Sequence, residues 1–194
     1  RVHDEGVELA DGKSLSADAV IVATQAVECS DLLGEKRLGL GDSPIVSVHL
    51  WFDRIVMDSS LAAFIDSPAH WVFDRGRLVG NPPERGQYLT VVSSGVPDLL
   101  EVRGKNMVDL IAEELTQRLG KAELIWSRVS REPRATFAGR PGTALLRMGA
   151  RTSSPRIFRA GAWTDTGWPA TMEGAVRSGK SAAALVLKDL GTCS

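Results

Sequence analysis

The firmest periodicity in the chain lies near its end. Met172, Ala175, Val176, Gly179, Ala182, Ala183, Val186, Leu187 and Leu190 recur at helical spacing and predict one apolar helix face. Thr171 stands where an N-cap belongs, Lys188 falls in the last turn, and Gly191 suits the C′ position. The first turns are built from Gly174, Ala175, Ser178, Gly179, Ala182 and Ala183. So little bulk admits either a flat ligand or close packing on a sheet. Ahead of the helix, a short apolar strand breaks at Gly161 and runs into a loop holding Trp163, Gly167, Trp168 and Pro169.

From the other end, Val7 and Leu9 alternate with charged residues, Asp11-Gly12 marks a turn and Leu15 resumes the pattern. This is a hairpin over Gly6 to Leu15. Ala19 to Ala23 is a continuous apolar run, as in a parallel strand buried on both faces, and Val27 to Leu33 reads as a short helix. At Pro44 the character changes. Ile45 to Phe52 alternates, with Val46, Val48 and Leu50 on one face and Ile45, Ser47, His49 and Trp51 on the other. Further strands are predicted at His70–Asp74, Gln87–Val92 and Leu124–Ser130, the last continuing into Arg131–Phe137 until Pro141-Gly142. A helix spans about Lys105 to Leu119, with Met107, Leu110, Ile111, Glu114, Leu115 and Leu119 at helical intervals. Strands in series imply a mainly antiparallel sheet, distinct from the parts flanking it.

The 194 residues are 43% hydrophobic and 24% charged with a net charge of -1. That balance gives no reason to expect a nucleic-acid partner. Cys29 and Cys193 are far apart and lack C-x-x-C spacing, so they read as reduced thiols of a cytoplasmic protein. No apolar run reaches the ~18 residues of a membrane span. The chain starts at Arg1 and contains no G-x-G-x-x-G, since Pro44 follows Gly39 and Gly41 where the third glycine would stand. A dinucleotide-binding fold requires that turn. There is no G-x-S-x-G, no H-E-x-x-H and no metal-ligand spacing, and no metal is expected. His3, His49 and His70 are scattered, and Asp53 and Asp74 each precede Arg at a strand end, which suits turns or ion pairs. Arg147, Arg151, Arg156 and Arg159 cluster in sequence, as either a solvated surface or a phosphate site. No catalytic residue can be named.

The run Trp163-Thr164-Asp165-Thr166-Gly167-Trp168-Pro169-Ala170-Thr171-Met172-Glu173-Gly174-Ala175-Val176 resembles the C-terminal flavin signature of the amine oxidase and phytoene desaturase superfamily. More narrowly it resembles hydroxysqualene dehydroxylases. Thr24 closes a second similar block, V-x-L-x-D-G-x-x-x-x-A-D-x-V-I-x-A-T, although Gln25 stands where the family usually has Pro. The blocks VSVHLWFDR and HWVFDR extend the resemblance into the middle of the chain.

The resemblance implies an α/β fold: part of an FAD/NAD(P)-binding Rossmann-like domain over 1–43 and 138–194, with an inserted α+β substrate domain over 44–137. In the family the glycine-rich turn lies near the N-terminus, so the resemblance also implies that this chain is the C-terminal portion of a longer protein whose N-terminal half is missing here. It implies FAD bound through Thr24, Gly161, Ala162, Trp163, Gly167, Trp168, Pro169, Ala170, Thr171 and Met172. A long isoprenoid would be lined by Trp51, Trp71, Phe73, Phe137 and Trp168, with peripheral contact at the inner membrane. The implied reaction is reductive dehydroxylation of hydroxysqualene to squalene, or desaturation as in the carotenoid enzymes. Two departures stand out. Ala162 replaces the acidic residue that in the family holds a ribityl hydroxyl, and Arg159 occupies a strand position expected to be apolar. Were the 194 residues the complete natural chain, the missing glycine motif and Ala162 would favour a second reading, a cofactor-free scaffold domain. The piece alone is expected to bind FAD poorly and to be inactive.

Overall fold

The computed structural model describes residues 1–191, so Cys193 lies outside the described residues. In chain order the elements are β1 (Val2–His3), β2 (Gly6–Glu8), β3 (Ser14–Ser16), β4 (Val20–Val22), α1 (Ala26–Leu33), β5 (Asp42–Phe52), β6 (Leu61–Ala63) and β7 (Trp71–Asp74). There follow α2 (Arg75–Leu78), β8 (Gln87–Ser94), α3 (Pro97–Glu101), α4 (Gly104–Leu119), β9 (Leu124–Phe137), a 3-10 turn (Thr143–Leu146), β10 (Ile157–Arg159) and α5 (Met172–Asp189). The chain forms two compact units, one of residues 1–41 and 136–194, the other of residues 42–135.

In the first unit, the hairpin expected from the Asp11-Gly12 turn forms, with Val7 opposite Leu15, and β1 adds a third strand. β4 and β10 pair in parallel, Val20 with Ile157 and Val22 with Arg159. One side of this pair packs Val22, Cys29, Ile157 and Trp163 together. Phe158, Ala160 and Ala182 form a second cluster. The expectation that β4 is buried on both faces is corrected, because Ile21 is 39% exposed. Among the described residues only β10 pairs with β4, so one edge of the strand stays bare.

Helix α5 starts where its N-cap demanded, Thr171 accepting a hydrogen bond from the Gly174 N–H at 3.2 Å. Its buried stripe is Gly174, Ser178 and Ala182, whereas Met172, Val176, Leu187 and Leu190 are exposed. The face expected from the larger apolar residues is therefore corrected. The smallest side chains turn inward because they lie against backbone. A Cβ on Gly174 would come within 2.4 Å of the Pro169 carbonyl oxygen.

In the second unit, strand order is β6-β7-β8-β5-β9, and β6 with β7, β7 with β8 and β8 with β5 pair antiparallel. The alternation of β5 places Val46, Val48, Leu50 and Phe52 on the core face, where Val72, Leu89 and Val91 join them. Met107, Ile111 and Leu115 of α4 belong to the same core. Leu110 sits one position off that stripe and is exposed. The buried Gln87 side chain ties the loop after β5 to the sheet: its Oε1 accepts from Val56 and Met57 N–H, and its Nε2 donates to the Met57 carbonyl and to Asp74. Such complete pairing is what allows a polar side chain inside a core.

Candidate functional site

Arg159 ends β10 fully buried, 2% exposed, and its guanidinium meets the Glu35 carboxylate through two bonds of 2.9 Å. A cation in an expected apolar position is thus matched by a partner just beyond α1. Two residues further, Gly161 adopts φ +154, and a Cβ there would lie 2.4 Å from Trp163 Nε1. Its N–H donates to Ser178 Oγ at 2.8 Å, and its carbonyl accepts from the Thr164 hydroxyl at 2.8 Å. This bends the chain away from the strand and anchors the bend to α5.

Trp163 is 7% exposed, and its indole N–H donates to the Thr24 carbonyl at 2.9 Å. Both were expected to touch cofactor. The structure instead gives Trp163 a core position in which its hydrogen-bonding capacity is used by the end of β4. Arg147 spans the other side of the loop, with donors to the Ala162 carbonyl at 3.1 Å, to that of Trp163 at 3.3 Å and to that of Thr164. Its guanidinium also lies over Phe137, 5.6 Å from the ring centroid. Phe137 packs against the Val22–Cys29–Trp163 cluster. Three of the four arginines point to separate partners, Arg147 to the loop carbonyls, Arg151 to Asp189 and Arg159 to Glu35, which weighs against the phosphate-cluster reading. Arg147 and Arg159 are not solvated surface either.

Beyond Thr164 the loop becomes exposed. Asp165 accepts from the Gly167 N–H at 3.2 Å, so its carboxylate serves its own turn and does not replace the acid missing at Ala162. Trp168 is 39% exposed, with Arg177 3.9 Å from its ring centroid and Arg177 in turn paired to Glu173 at 2.9 Å. The Thr166 hydroxyl is buried and has no partner among the described residues. After Pro169 and Ala170, α5 begins. Thr171 satisfies the Gly174 N–H, while those of Met172 and Glu173 have no partner among the described residues. Free N–H groups at a helix start carry partial positive charge and favour an electron-rich ligand edge. Gly167 to Met172 therefore form an exposed ledge, backed by an ordered layer of Gly161, Ala162, Trp163 and Thr24.

Cys29 is buried beneath that layer and is no nucleophile, since burial pushes its thiol up to about 11 against the opposing pull of Arg159. Among the described residues no group of three or more side chains is placed to bind a metal, and no helix is long and apolar enough to cross a membrane.

In the other unit, register brings Trp51, Trp71 and Phe73 onto one face of the sheet, opposite its core: Trp51 pairs with Tyr88, Phe73 with Thr90 and Trp71 with Val92. Tyr88 stacks on Trp51, with ring centroids 5.8 Å apart. His49 stands on the same face, its Nδ1 3.1 Å from both the Tyr88 and the Thr90 hydroxyl. This cluster escapes a sequence reading because its members are 39 and 41 residues apart; the only local sign was the place of His49 on the non-core side of β5. Burial, with Arg128 and Arg75 adding to it, lowers the His49 pKa and keeps the imidazole neutral. Asp53 and Asp74 are structural: Asp53 pairs with Arg54 and accepts from the Glu123 N–H, and buried Asp74 caps α2. His70 accepts from the Ser94 N–H.

The chain is 32% identical to hydroxysqualene dehydroxylase of Sinorhizobium fredii over 90% of its own length and 40% of that protein. It is 27% identical to a 15-cis-phytoene desaturase of Capsicum annuum, over 93% of the chain and 34% of the desaturase. The chain thus spans less than half the length of these relatives. Its fold is that of a putative protoporphyrinogen oxidase from Exiguobacterium, with a TM-score of 0.71 at 15% identity over 93% of the chain and 43% of that structure. Residues 2–187 match the model of the flavin containing amine oxidoreductases, and the chain belongs to that family.

Proposed function

We propose that this chain is part of an FAD-dependent oxidoreductase that acts on a long isoprenoid and removes the hydroxyl of hydroxysqualene to give squalene. The observation that carries the reading is the ledge from Gly167 to Met172, set on a folded loop in a chain nearly one-third identical to a hydroxysqualene dehydroxylase. The residues fit a flavin: a buried Thr166 hydroxyl lacks a partner, two N–H groups at the start of α5 are free, and Trp168 offers an exposed aromatic surface.

Reduced FAD, when bound, supplies the hydride. The protein's part is to hold and orient. Trp168, Pro169, Ala170, Thr171 and Met172 would contact the cofactor, with the helix N–H groups favouring negative charge at its electron-rich edge. Gly161, Ala162, Trp163 and Thr24 would act from behind, by fixing the loop. Arg147 would fix the same loop, since its guanidinium donates to three successive carbonyls. In residues 42–135, Trp51, Trp71 and Phe73 would offer the isoprenoid its apolar contact, delivered from a membrane surface.

The test is flavin content and anaerobic turnover of hydroxysqualene by the full-length protein containing this chain. Bound FAD with squalene formed supports the reading. Bound FAD without squalene directs attention to desaturation, which the identity to a phytoene desaturase favours as second reading. Absence of bound flavin overturns both and leaves a scaffold.

A further inference from the structure

The unit of residues 42–135 contains an open cavity of about 410 Å³ whose wall includes Trp51, Tyr88, Arg75, Pro82, Pro83 and Glu84. Its aromatic side is fixed by sheet register. Trp51 lies opposite Tyr88 and His49 opposite Thr90, so the four side chains share one face. Gly86 keeps the Trp51 indole in place, because a Cβ at its φ of +78 would come 2.9 Å from Trp51 Nε1 and 2.2 Å from the Phe52 carbonyl.

The Tyr88 hydroxyl is not a lone polar tip in an apolar wall. It lies 3.1 Å from His49 Nδ1, and the same nitrogen is 3.1 Å from Thr90 Oγ1. Thr90 is 7% exposed and directly beneath. The arrangement holds the Tyr88 oxygen in place and leaves part of its bonding capacity for a ligand. The charge around it is also informative. Arg75 and Arg128 both act against a cation at His49, and the one carboxylate in the cavity wall, Glu84, is on the exposed rim. A protonated amine is disfavoured beside the Arg75 guanidinium of the wall, whereas a neutral alcohol is not.

We propose that the Tyr88 hydroxyl, oriented by His49 and Thr90, is the group with which this aromatic cavity recognises the hydroxyl of an isoprenoid alcohol. The ligand class rests on the function proposed above. The apolar chain lies on Trp51 and the proline-lined wall, and the hydroxyl exchanges a hydrogen bond with Tyr88. A site built around such a bond discriminates against the analogue that lacks it, because its own polar group is then left unpaired.

The experiment compares equilibrium binding of hydroxysqualene and of squalene, each presented in phosphatidylcholine vesicles, to the oxidised full-length protein, so that no turnover intervenes. Tryptophan fluorescence reads the binding. Wild type is expected to prefer the alcohol by about tenfold, the scale of one neutral hydrogen bond. Tyr88→Phe keeps the ring that stacks on Trp51 and is expected to abolish the preference while leaving squalene binding unchanged. His49→Asn is expected to reduce it, with Thr90→Val a smaller effect. Preference retained in Tyr88→Phe overturns the proposal, as does no preference in wild type. Equal loss of both ligands in Tyr88→Phe also overturns it, showing a packing role only. Failure of the reduced wild type to convert hydroxysqualene would refute the dehydroxylation reading by itself, and the binding comparison would still decide the role of Tyr88.

Discussion

The buried pair of Arg159 and Glu35 yields the sharpest energetic prediction. Arg159 is 2% exposed, Glu35 has a side chain 24% exposed, and the two make a bidentate contact at 2.9 Å. Arg159 Nε is buried without a partner. The two partners therefore carry unequal penalties. Glu35→Gln keeps the shape but leaves a guanidinium buried without its counter-charge, a loss of about 3–5 kcal/mol in fully buried pairs. Because Glu35 is partly solvated, about 3 kcal/mol is expected. Arg159→Met removes the buried cation and its orphaned Nε, fills much of the same volume with thioether, and leaves a carboxylate that water can reach. A loss of about 1 kcal/mol is expected, and the double variant should be no worse than Glu35→Gln alone. Amide hydrogen exchange of β4 and β10, followed by mass spectrometry in the full-length protein, measures the local opening free energy. Glu35→Gln should accelerate exchange by about a hundredfold, from the conversion of about 1.4 kcal/mol per factor of ten. If Arg159→Met costs as much as Glu35→Gln, or if Glu35→Gln costs under about 1 kcal/mol, the reasoning from burial asymmetry fails.

Gly161→Ala should cost about 2–3 kcal/mol and loosen flavin retention, since φ +154 and the Trp163 indole 2.4 Å away both oppose a Cβ; thermal unfolding and cofactor release on gel filtration check it. Arg147→Leu removes donors to three loop carbonyls and should weaken flavin binding by at least tenfold, with Arg147→Lys recovering only part because ammonium lacks the planar fork; titration of the apoprotein with FAD decides, and wild-type affinity in both variants would refute the clamp. His49 gives a pH dependence. Its folded pKa is below the ordinary value, so between the two values the unfolded chain binds more protons. The stabilising contribution is complete above the unfolded value of about 6.5 and is lost as pH falls through the folded one. Urea midpoints from pH 7.5 to 5 should fall more steeply in wild type than in His49→Gln; parallel slopes would exclude His49 as the cause.

What could be read from the sequence divides along a physical line. Patterns that repeat within one element were legible: the alternation of Val46, Val48 and Leu50, the Asp11-Gly12 hairpin and the cap at Thr171 all form as their spacing requires. In α5 the same kind of pattern misled, because the hydrophobicity rule assigns the larger residues to the core, while here Gly174, Ser178 and Ala182 turn inward and a Cβ on Gly174 would collide with the Pro169 backbone. Close backbone approach selects for absence of bulk, and no periodicity distinguishes that from a ligand cradle. The side chains that shape the loop were harder still. Arg147 reaches its carbonyls from 15 to 17 residues away, Trp163 reaches Thr24 across 139 residues, and Arg159 reaches Glu35 across 124. Each such partner is fixed by strand pairing and packing, not by neighbours in sequence.

That division bears on the odd residues at the site. Arg159 and Ala162 both looked like losses when compared with the signature, one a charge where an apolar residue belonged, the other a missing acid. In three dimensions the charge has a dedicated carboxylate, and the carbonyl of Ala162 is held by Arg147 from the far side of the loop. A domain that had abandoned its ligand would be under no constraint to keep Gly161 at φ +154, Ser178 on its N–H, Thr164 on its carbonyl and Arg147 across three carbonyls. Each of these fixes the loop that leads into the exposed ledge, at a cost in conformational entropy of order 1 kcal/mol per residue. An ordered loop ending in unpaired helix N–H groups and an orphaned Thr166 hydroxyl is expensive as a scaffold and useful as a binding ledge. The structure thus weighs against the cofactor-free reading on energetic grounds, and flavin titration of Arg147→Leu is the measurement in which the two readings part: loss of flavin affinity if the loop is held for a ligand, loss of stability alone if it is not.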